Sequence, residues 1–262
     1  MHPYFFIQIP FIGQLSIPAY SLFAFVGFFF VMVFFYLRLQ KKSIAFSSFL
    51  ILMVFMIVGV ALGSKALFII TQIPEIIRDF SLPKTIYIIW TSGFVFYGGM
   101  LGAIAGAYLF AQFFHLPSQA FVDLLIPGYP LFHFWGRIGC FFAGCCYGKV
   151  STWGFPLYGD PHVLHIPVQL FEALCLCLIF TALLLFEKRE LPAGSLMILY
   201  LFGYSICRFA LEFFRGDAIR GIWLGLSTSQ WISLGIVLFT VHYLFKVKPW
   251  KNHKILKSSP HE

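Results

Sequence analysis

A chain of 262 residues with 60% hydrophobic and only 11% charged side chains, at a mean hydropathy of +0.88, is too apolar for a water-soluble domain, where about a quarter of residues are charged. Its 35 phenylalanines exceed what one aqueous core of this size can hide, whereas lipid accepts them on the outer face of a helix. The net charge of +8 does not indicate nucleic acid, because Lys and Arg lie between apolar runs and at the C-terminus, where an anionic leaflet is the matching partner.

Seven apolar stretches are predicted to span a membrane, over residues 20–37, 49–70, 94–114, 121–142, 168–186, 195–214 and 229–245. Each approaches the about 20 residues that cross a bilayer core of about 30 Å. The expected fold is therefore all-α: a polytopic membrane protein with about seven transmembrane helices, read as a single integral-membrane domain over residues 1–262. No Lys or Arg precedes the first apolar run and no small-residue cleavage site follows it, so no cleaved signal is expected. The fourth stretch stands apart. It carries Asp123, Pro127-Gly128, Pro130, His133 and Arg137, and so broken and polar a segment is tolerated only against protein or water.

Ten Lys and Arg fall in the first, third and fifth connections and the tail, against five in the N-terminus and the other connections. The positive-inside rule then places the N-terminus and the 148–167 connection outside and the basic tail, residues 246–262, in the cytoplasm. Cys140, Cys175, Cys177 and Cys207 lie in apolar stretches and read as small hydrophobes. Cys140, Cys145 and Cys146 form a C-x4-C-C run that matches no common zinc spacing. No metal site is assigned.

Ionisable groups at membrane depth are costly and mark function by default. The spans hold Lys65, Asp123, Arg137, Glu172, Arg208 and Glu212, with Arg215 just beyond. Arg208 and Glu212, four apart, can simply pair with each other. Arg137, Arg208 and Arg215 nevertheless exceed what Glu212 alone neutralises, and Arg208, Glu212 and Arg215 follow the i, i+4, i+7 rhythm of one helix face beside Tyr204. Guanidinium groups in surplus suggest a bound anion, and Arg matches phosphate oxygens in bidentate fashion. In lipid that anion is a phospholipid headgroup.

Two glycine-rich segments flank this pattern. Gly98-Gly99 with Gly102 and Gly106 opens the third stretch, a spacing that lets membrane helices approach closely. Gly136, Gly139, Gly144 and Gly148 surround Arg137 and Cys140, which suggests backbone lying close to a ligand.

These residues resemble the prolipoprotein diacylglyceryl transferase family, over about residues 17–230. The strongest element is Gly136-Arg137-Ile138-Gly139 followed by Gly144 and Tyr147-Gly148. Supporting it in order are Ile17-Pro18-Ala19-Tyr20, Phe96-Tyr97-Gly98-Gly99, the run from Pro167 to Glu172, Phe202-Gly203-Tyr204, Arg208-Phe209, Glu212-Phe213, Arg215-Gly216-Asp217 and Leu226-Ser227 with Gln230.

The resemblance implies a seven-span transferase of the bacterial inner membrane without metal or organic cofactor. Its substrates would be phosphatidylglycerol and the signal peptide of a prolipoprotein, whose lipobox cysteine thiol receives the diacylglyceryl group as glycerol 1-phosphate leaves. It implies that Arg137 and Arg208 hold the phosphate with Arg215 as an accessory, Tyr20 and Tyr204 position the headgroup, and Glu212 orients the arginines. Gly98, Gly99, Gly139 and Gly148 would shape the pocket.

The chain departs from the family pattern at Tyr97, where a His is usual, at Cys140 for Asn, at Cys145 for an acidic residue and at Ile166 for His. A thiol needs a base or a positive field to ionise, and a phenol near pKa 10 ordinarily donates. Three roles stand open for Tyr97. It is a phenol loosened by Arg137, a lipid-positioning group beside arginines that lower the thiol's own pKa, or the mark of a relative with lost or changed activity. The second is preferred. A non-catalytic lipid-binding or transport protein using the same arginines is the rival reading, though two related halves with paired broken helices are not apparent. A thiol oxidoreductase built on Cys145-Cys146 lacks the C-x-x-C spacing.

Overall fold

A chain in lipid satisfies its backbone by closing each N–H onto the carbonyl four residues back. The computed structural model describes residues 3–9, 13–41, 45–78, 81–83, 86, 96–189, 191–216 and 222–247, and the apolar stretches within them are helical. In chain order the helices are α1 (Ala19–Gln40), α2 (Phe46–Arg78), α3 (Phe96–Phe113), α4 (Ser118–Leu125), α5 (Gly128–Ala143), α6 (Val168–Glu187), α7 (Ser195–Glu212) and α8 (Thr228–Val247). Among the described residues, α1, α2, α6, α7 and α8 contain stretches long and apolar enough to cross a membrane, and α3 contributes a shorter apolar helix. The protein is a multi-pass helical membrane protein.

The fourth apolar stretch is broken as expected. Ile126-Pro127 separates α4 from α5, because proline lacks the N–H that would continue the ladder. Pro130 falls in the first turn of α5, where no intrahelical N–H bond is lost.

Among the described residues, three antiparallel hairpins lie outside the seven apolar stretches. β1 (Tyr4–Ile9) pairs with β2 (Gly13–Pro18), β3 (Val150–Leu157) with β4 (Asp160–His165), and β5 (Ile222–Trp223) with β6 (Leu226–Ser227). The β3–β4 register slips between Val150 and Phe155, both opposite His165.

The chain forms two compact units, one of Met1–Phe35 with Leu125–Glu262 and one of Tyr36–Leu124. In the second, α2 and α3 meet through glycine. A Cβ on Gly102 would collide with the Gly59 carbonyl, and one on Gly98 with that of Gly63. The four-residue glycine spacing thus does what packing chemistry requires of it. An apolar groove of about 560 Å³ borders this seam, between Leu62 on α2 and Leu109 on α3.

In the first unit α5 packs on α6, α6 on α7 and α7 on α8. Gly27 of α1 admits Trp135 of α5, with Phe30 stacked on the same indole at 5.2 Å and Phe23 stacked on Phe142 at 4.9 Å. The entry of α8 is a capping box. The Ser227 N–H donates to Gln230 Oε1 at 2.9 Å, and the Gln230 N–H returns to Ser227 Oγ at 3.2 Å. This exchange satisfies two of the donors that a helix start leaves open.

Candidate active site

Four helices of the first unit build the charged core. On α6 the buried side chains Val168, Gln169, Glu172, Ala173 and Leu176 follow a helical stripe, and Glu172, only 2% exposed, is its one charge. On α7, Tyr204, Arg208 and Glu212 lie four apart and all are buried. From α5, His133 and Arg137 are again four apart. The capping box of α8 presents Ser229.

Glu172 is where they converge. Its Oε1 receives Arg137 Nη2 at 2.9 Å and the Tyr204 hydroxyl at 3.1 Å. Its Oε2 lies 3.7 Å from Arg208 Nη1. Arg208 Nη2 reaches Glu212 Oε2 at 2.9 Å and donates to Ser229 Oγ at 3.3 Å. Arg137 Nε donates to His133 Nε2 at 3.1 Å. That donation makes Nε2 an acceptor, so His133 is the neutral Nδ1–H tautomer and its 3.8 Å approach to Glu172 is not an ion pair. The imidazole also lies against the Tyr204 ring, with centroids 5.2 Å apart.

The guanidiniums of Arg137 and Arg208 come from separate helices and meet, and Arg208 pairs with Glu212 as its spacing allows. The carboxylate joining the two arginines, however, is Glu172 rather than Glu212. In addition, α7 ends at Glu212, so Arg215 lies in the following turn, its N–H on the Glu212 carbonyl at 3.3 Å. There it is buried and bridged through its backbone to Gly148.

Glu172 and His133 were both visible in the sequence without a role. The usable signal was that an acid within an apolar run must find a cation, and that His133 precedes Arg137 by one turn.

The remaining expected residues divide by place. Tyr20 packs its backbone on Gly139, where a Cβ would come within 3.3 Å, and lies within electrostatic reach of Arg137. A Cβ on Gly148 would strike the Ile166 carbonyl. The Gly148 N–H donates to that oxygen at 3.0 Å, and its own carbonyl lies 3.0 Å from His165 Nδ1. Close approach is the reason for both glycines, with the protein's own backbone as the neighbour. Gly98 and Gly99 belong to the second unit, where a Cβ on Gly99 would sit 2.7 Å from Ser64 Oγ. The Tyr97 side chain, residues 87–95 that lead into it, and residues 248–262 of the basic tail lie outside the described residues.

Burying this network gains little stability over an apolar core of equal volume, so packing does not account for it. Arg137 and Arg208 face two carboxylates, Glu172 and Glu212, and Arg215 lies buried in the turn after α7. Arg137 has five N–H bonds, of which its described partners use Nε and one on Nη2. The site can therefore accept an anion without dismantling its own pairs.

Apolar spans together with such a buried charged core define the class: an integral-membrane protein whose polar chemistry is held among helices. A family model described as prolipoprotein diacylglyceryl transferase matches residues 7–246. The phosphatidylglycerol–prolipoprotein diacylglyceryl transferase of Clostridium tetani is 34% identical over 197 residues, covering 73% of this chain and 77% of that protein. The proteins of the same name from Wolbachia sp. subsp. Drosophila simulans and Cupriavidus necator are 34% and 31% identical. They cover 87% and 91% of this chain and 89% and 91% of their own lengths. The chain belongs to the prolipoprotein diacylglyceryl transferase family and is a transferase of lipoprotein maturation.

Proposed function

We propose that this enzyme takes phosphatidylglycerol laterally from the bacterial inner membrane and transfers its diacylglyceryl group to the lipobox cysteine of a prolipoprotein signal peptide. The thiol gives up its proton, which ends on the departing phosphate, and the sulfur attacks the glyceryl carbon. A C–S bond forms as the C–O bond to phosphate breaks, and glycerol 1-phosphate departs with the electron pair. Charge grows on the phosphate as it leaves, and fixed guanidiniums around it lower that barrier. The observation carrying this reading is the meeting of Arg137 and Arg208, from α5 and α7, on Glu172.

In this reading Arg137 and Arg208 hold the phosphate, and Arg215 adds positive field from the turn after α7. Glu172 and Glu212 orient the two arginines, supported by the ion pairs already described. Tyr204 acts through its hydrogen bond to Glu172, and Tyr20 lines the Arg137 side. Gly139 and Gly148 keep the surrounding backbone close, and Gly98 and Gly99 shape the lipid side. Tyr97 positions lipid while arginine charge lowers the pKa of the incoming thiol. The chain acts as one integral-membrane domain over residues 1–262, with its N-terminus outward and residues 246–262 as the cytoplasmic tail. The basic bias of the alternate connections supports that orientation.

Purified enzyme, phosphatidylglycerol and a lipobox peptide are expected to yield a peptide heavier by one diacylglyceryl group in a mass spectrum. A peptide whose cysteine is replaced by serine is expected to stay unchanged. An unshifted cysteine peptide across several detergents and lipid loads would overturn the assignment.

A further inference from the structure

The end of α5 carries a second cluster that the lipid-transfer chemistry does not use. The Sγ atoms of Cys140, Cys145 and Cys146 all lie within 4.8 Å of one another. The backbone brings them together. Gly144 takes a left-handed conformation at φ 73°, and the N–H groups of Gly144 and Cys145 turn back to the Phe141 and Cys140 carbonyls at 3.3 and 3.2 Å. The chain thereby folds onto the last turn of its own helix. Cys146 is held at φ 57°, a left-handed region that residues with a Cβ rarely adopt. From α6, Gln169 Nε2 donates to the Cys145 carbonyl at 2.7 Å and pins the loop.

We propose that Cys140, Cys145 and Cys146 form a three-thiolate site for a soft, thiophilic cation, with Cu(I) as the ion they fit. Metal–thiolate bonds of about 2.3 Å set sulfurs about 4 Å apart around a trigonal ion, within a small side-chain rotation of the separation observed. An all-sulfur donor set selects soft ions such as Cu(I). Structural zinc calls for four protein ligands, and among the described residues no fourth Cys, His, Asp or Glu joins the cluster.

The surroundings suit the charge. Arg137 acts electrostatically on all three sulfurs and Arg215 on Cys146, which offsets the negative charge left by three thiolates around a monovalent ion. Access is provided as well, since Cys145 is exposed and Cys146 half-buried while Cys140 is buried. Binding replaces up to three S–H protons, released to solvent, by one cation. The C-x4-C-C spacing matches no zinc motif because the left-handed turn, rather than a regular interval, brings the ligands together.

The test uses the full chain, reduced and purified in detergent without oxygen, and titrated with Cu(I) against the chromogenic chelator bicinchoninate. One Cu(I) per chain is expected to be withheld from the chelator, and bound copper is expected to protect Cys145 from N-ethylmaleimide. Cys145→Ser and Cys146→Ser should each weaken retention by about 100-fold or more, above the loss typical of an outer-shell change. Cys177→Ser, an exposed cysteine elsewhere on α6, should leave it unchanged. Both Ser variants alter residues outside the buried core, so the result does not depend on the fate of Cys140. The proposal is overturned if wild type gives up its copper as readily as Cys146→Ser. It is equally overturned if the isolated protein proves to be a disulfide, two mass units light and closed to alkylation before reduction. Lipid transfer is not the readout, so the outcome is independent of the function proposed above.

Discussion

The α2–α3 pair and the α5–α6–α7 core solve the same problem in opposite ways. Between α2 and α3 the side chains are removed, and glycine backbones touch at Gly59–Gly102 and Gly63–Gly98. Among α5, α6 and α7 the side chains are long and charged, and one carboxylate, Glu172, receives two guanidiniums and a phenol. The first arrangement derives its stability from dispersion over a close seam. The second depends on every member being present, because a buried charge without its partner is far costlier than a missing methyl group. Glycine contact is therefore a matter of shape alone, and the charged core is a matter of shape and stoichiometry together.

Removing the hub should separate the two most sharply. Glu172→Ala leaves Arg137 and Tyr204 without their shared acceptor and is expected to lower stability by about 3–5 kcal/mol, read by thermal unfolding in detergent. An unchanged melting temperature would mean that the core is not held by charge. Arg137→Ala and Arg208→Ala are each expected to lower lipid transfer by about 10²–10³-fold, the loss seen when a preorganised donor to a developing anion is deleted. Rates are to be normalised to monodisperse protein, and normal turnover in both variants would detach the arginines from the reaction.

On the glycine side, Gly102→Ala forces α3 off the Gly59 carbonyl at a cost of about 1–3 kcal/mol. That cost should appear in unfolding while charge-dependent binding of a phosphate headgroup is spared. Tyr204→Phe keeps the ring against His133 and removes one hydrogen bond to a charged acceptor, costing about 1.5–3 kcal/mol at most. A double-mutant cycle with Glu172→Gln is expected to show coupling between the hydroxyl and the carboxylate. Smallest of all, Cys145→Ser combined with Cys146→Ser is expected to leave lipid transfer within about threefold, since sulfur takes no part in the core pairs and such loop changes cost little.

What was legible beforehand follows the same divide. Gly98, Gly102 and Gly106 announce a close seam because small residues four apart share one face whatever they meet. Arg137, Arg208 and Glu212 announce themselves because charge is rare in apolar runs, and the Arg208–Glu212 pair needs only the geometry of one helix. Pro127-Gly128 likewise gives the break between α4 and α5 locally. The role of Glu172 was not legible, because choosing it over Glu212 as the joint between arginines depends on how α6 is rotated between α5 and α7. The turn that takes Arg215 off the helix face of Arg208 and Glu212 is not legible for a related reason. The turn there is fixed by backbone pairing of Gly148 with Arg215, a contact between segments far apart in sequence. The three hairpins are not legible, because strands of two to eight residues, one pair of them slipped in register, leave little alternation to read.

Glu172 has one more consequence. By sitting between the arginines it serves as a resident counter-ion, so that neither guanidinium waits for a lipid in order to hold its place. On the proposed reading, an arriving headgroup meets donors already aligned and shares them with a carboxylate. The two cations therefore never face each other unshielded in this arrangement.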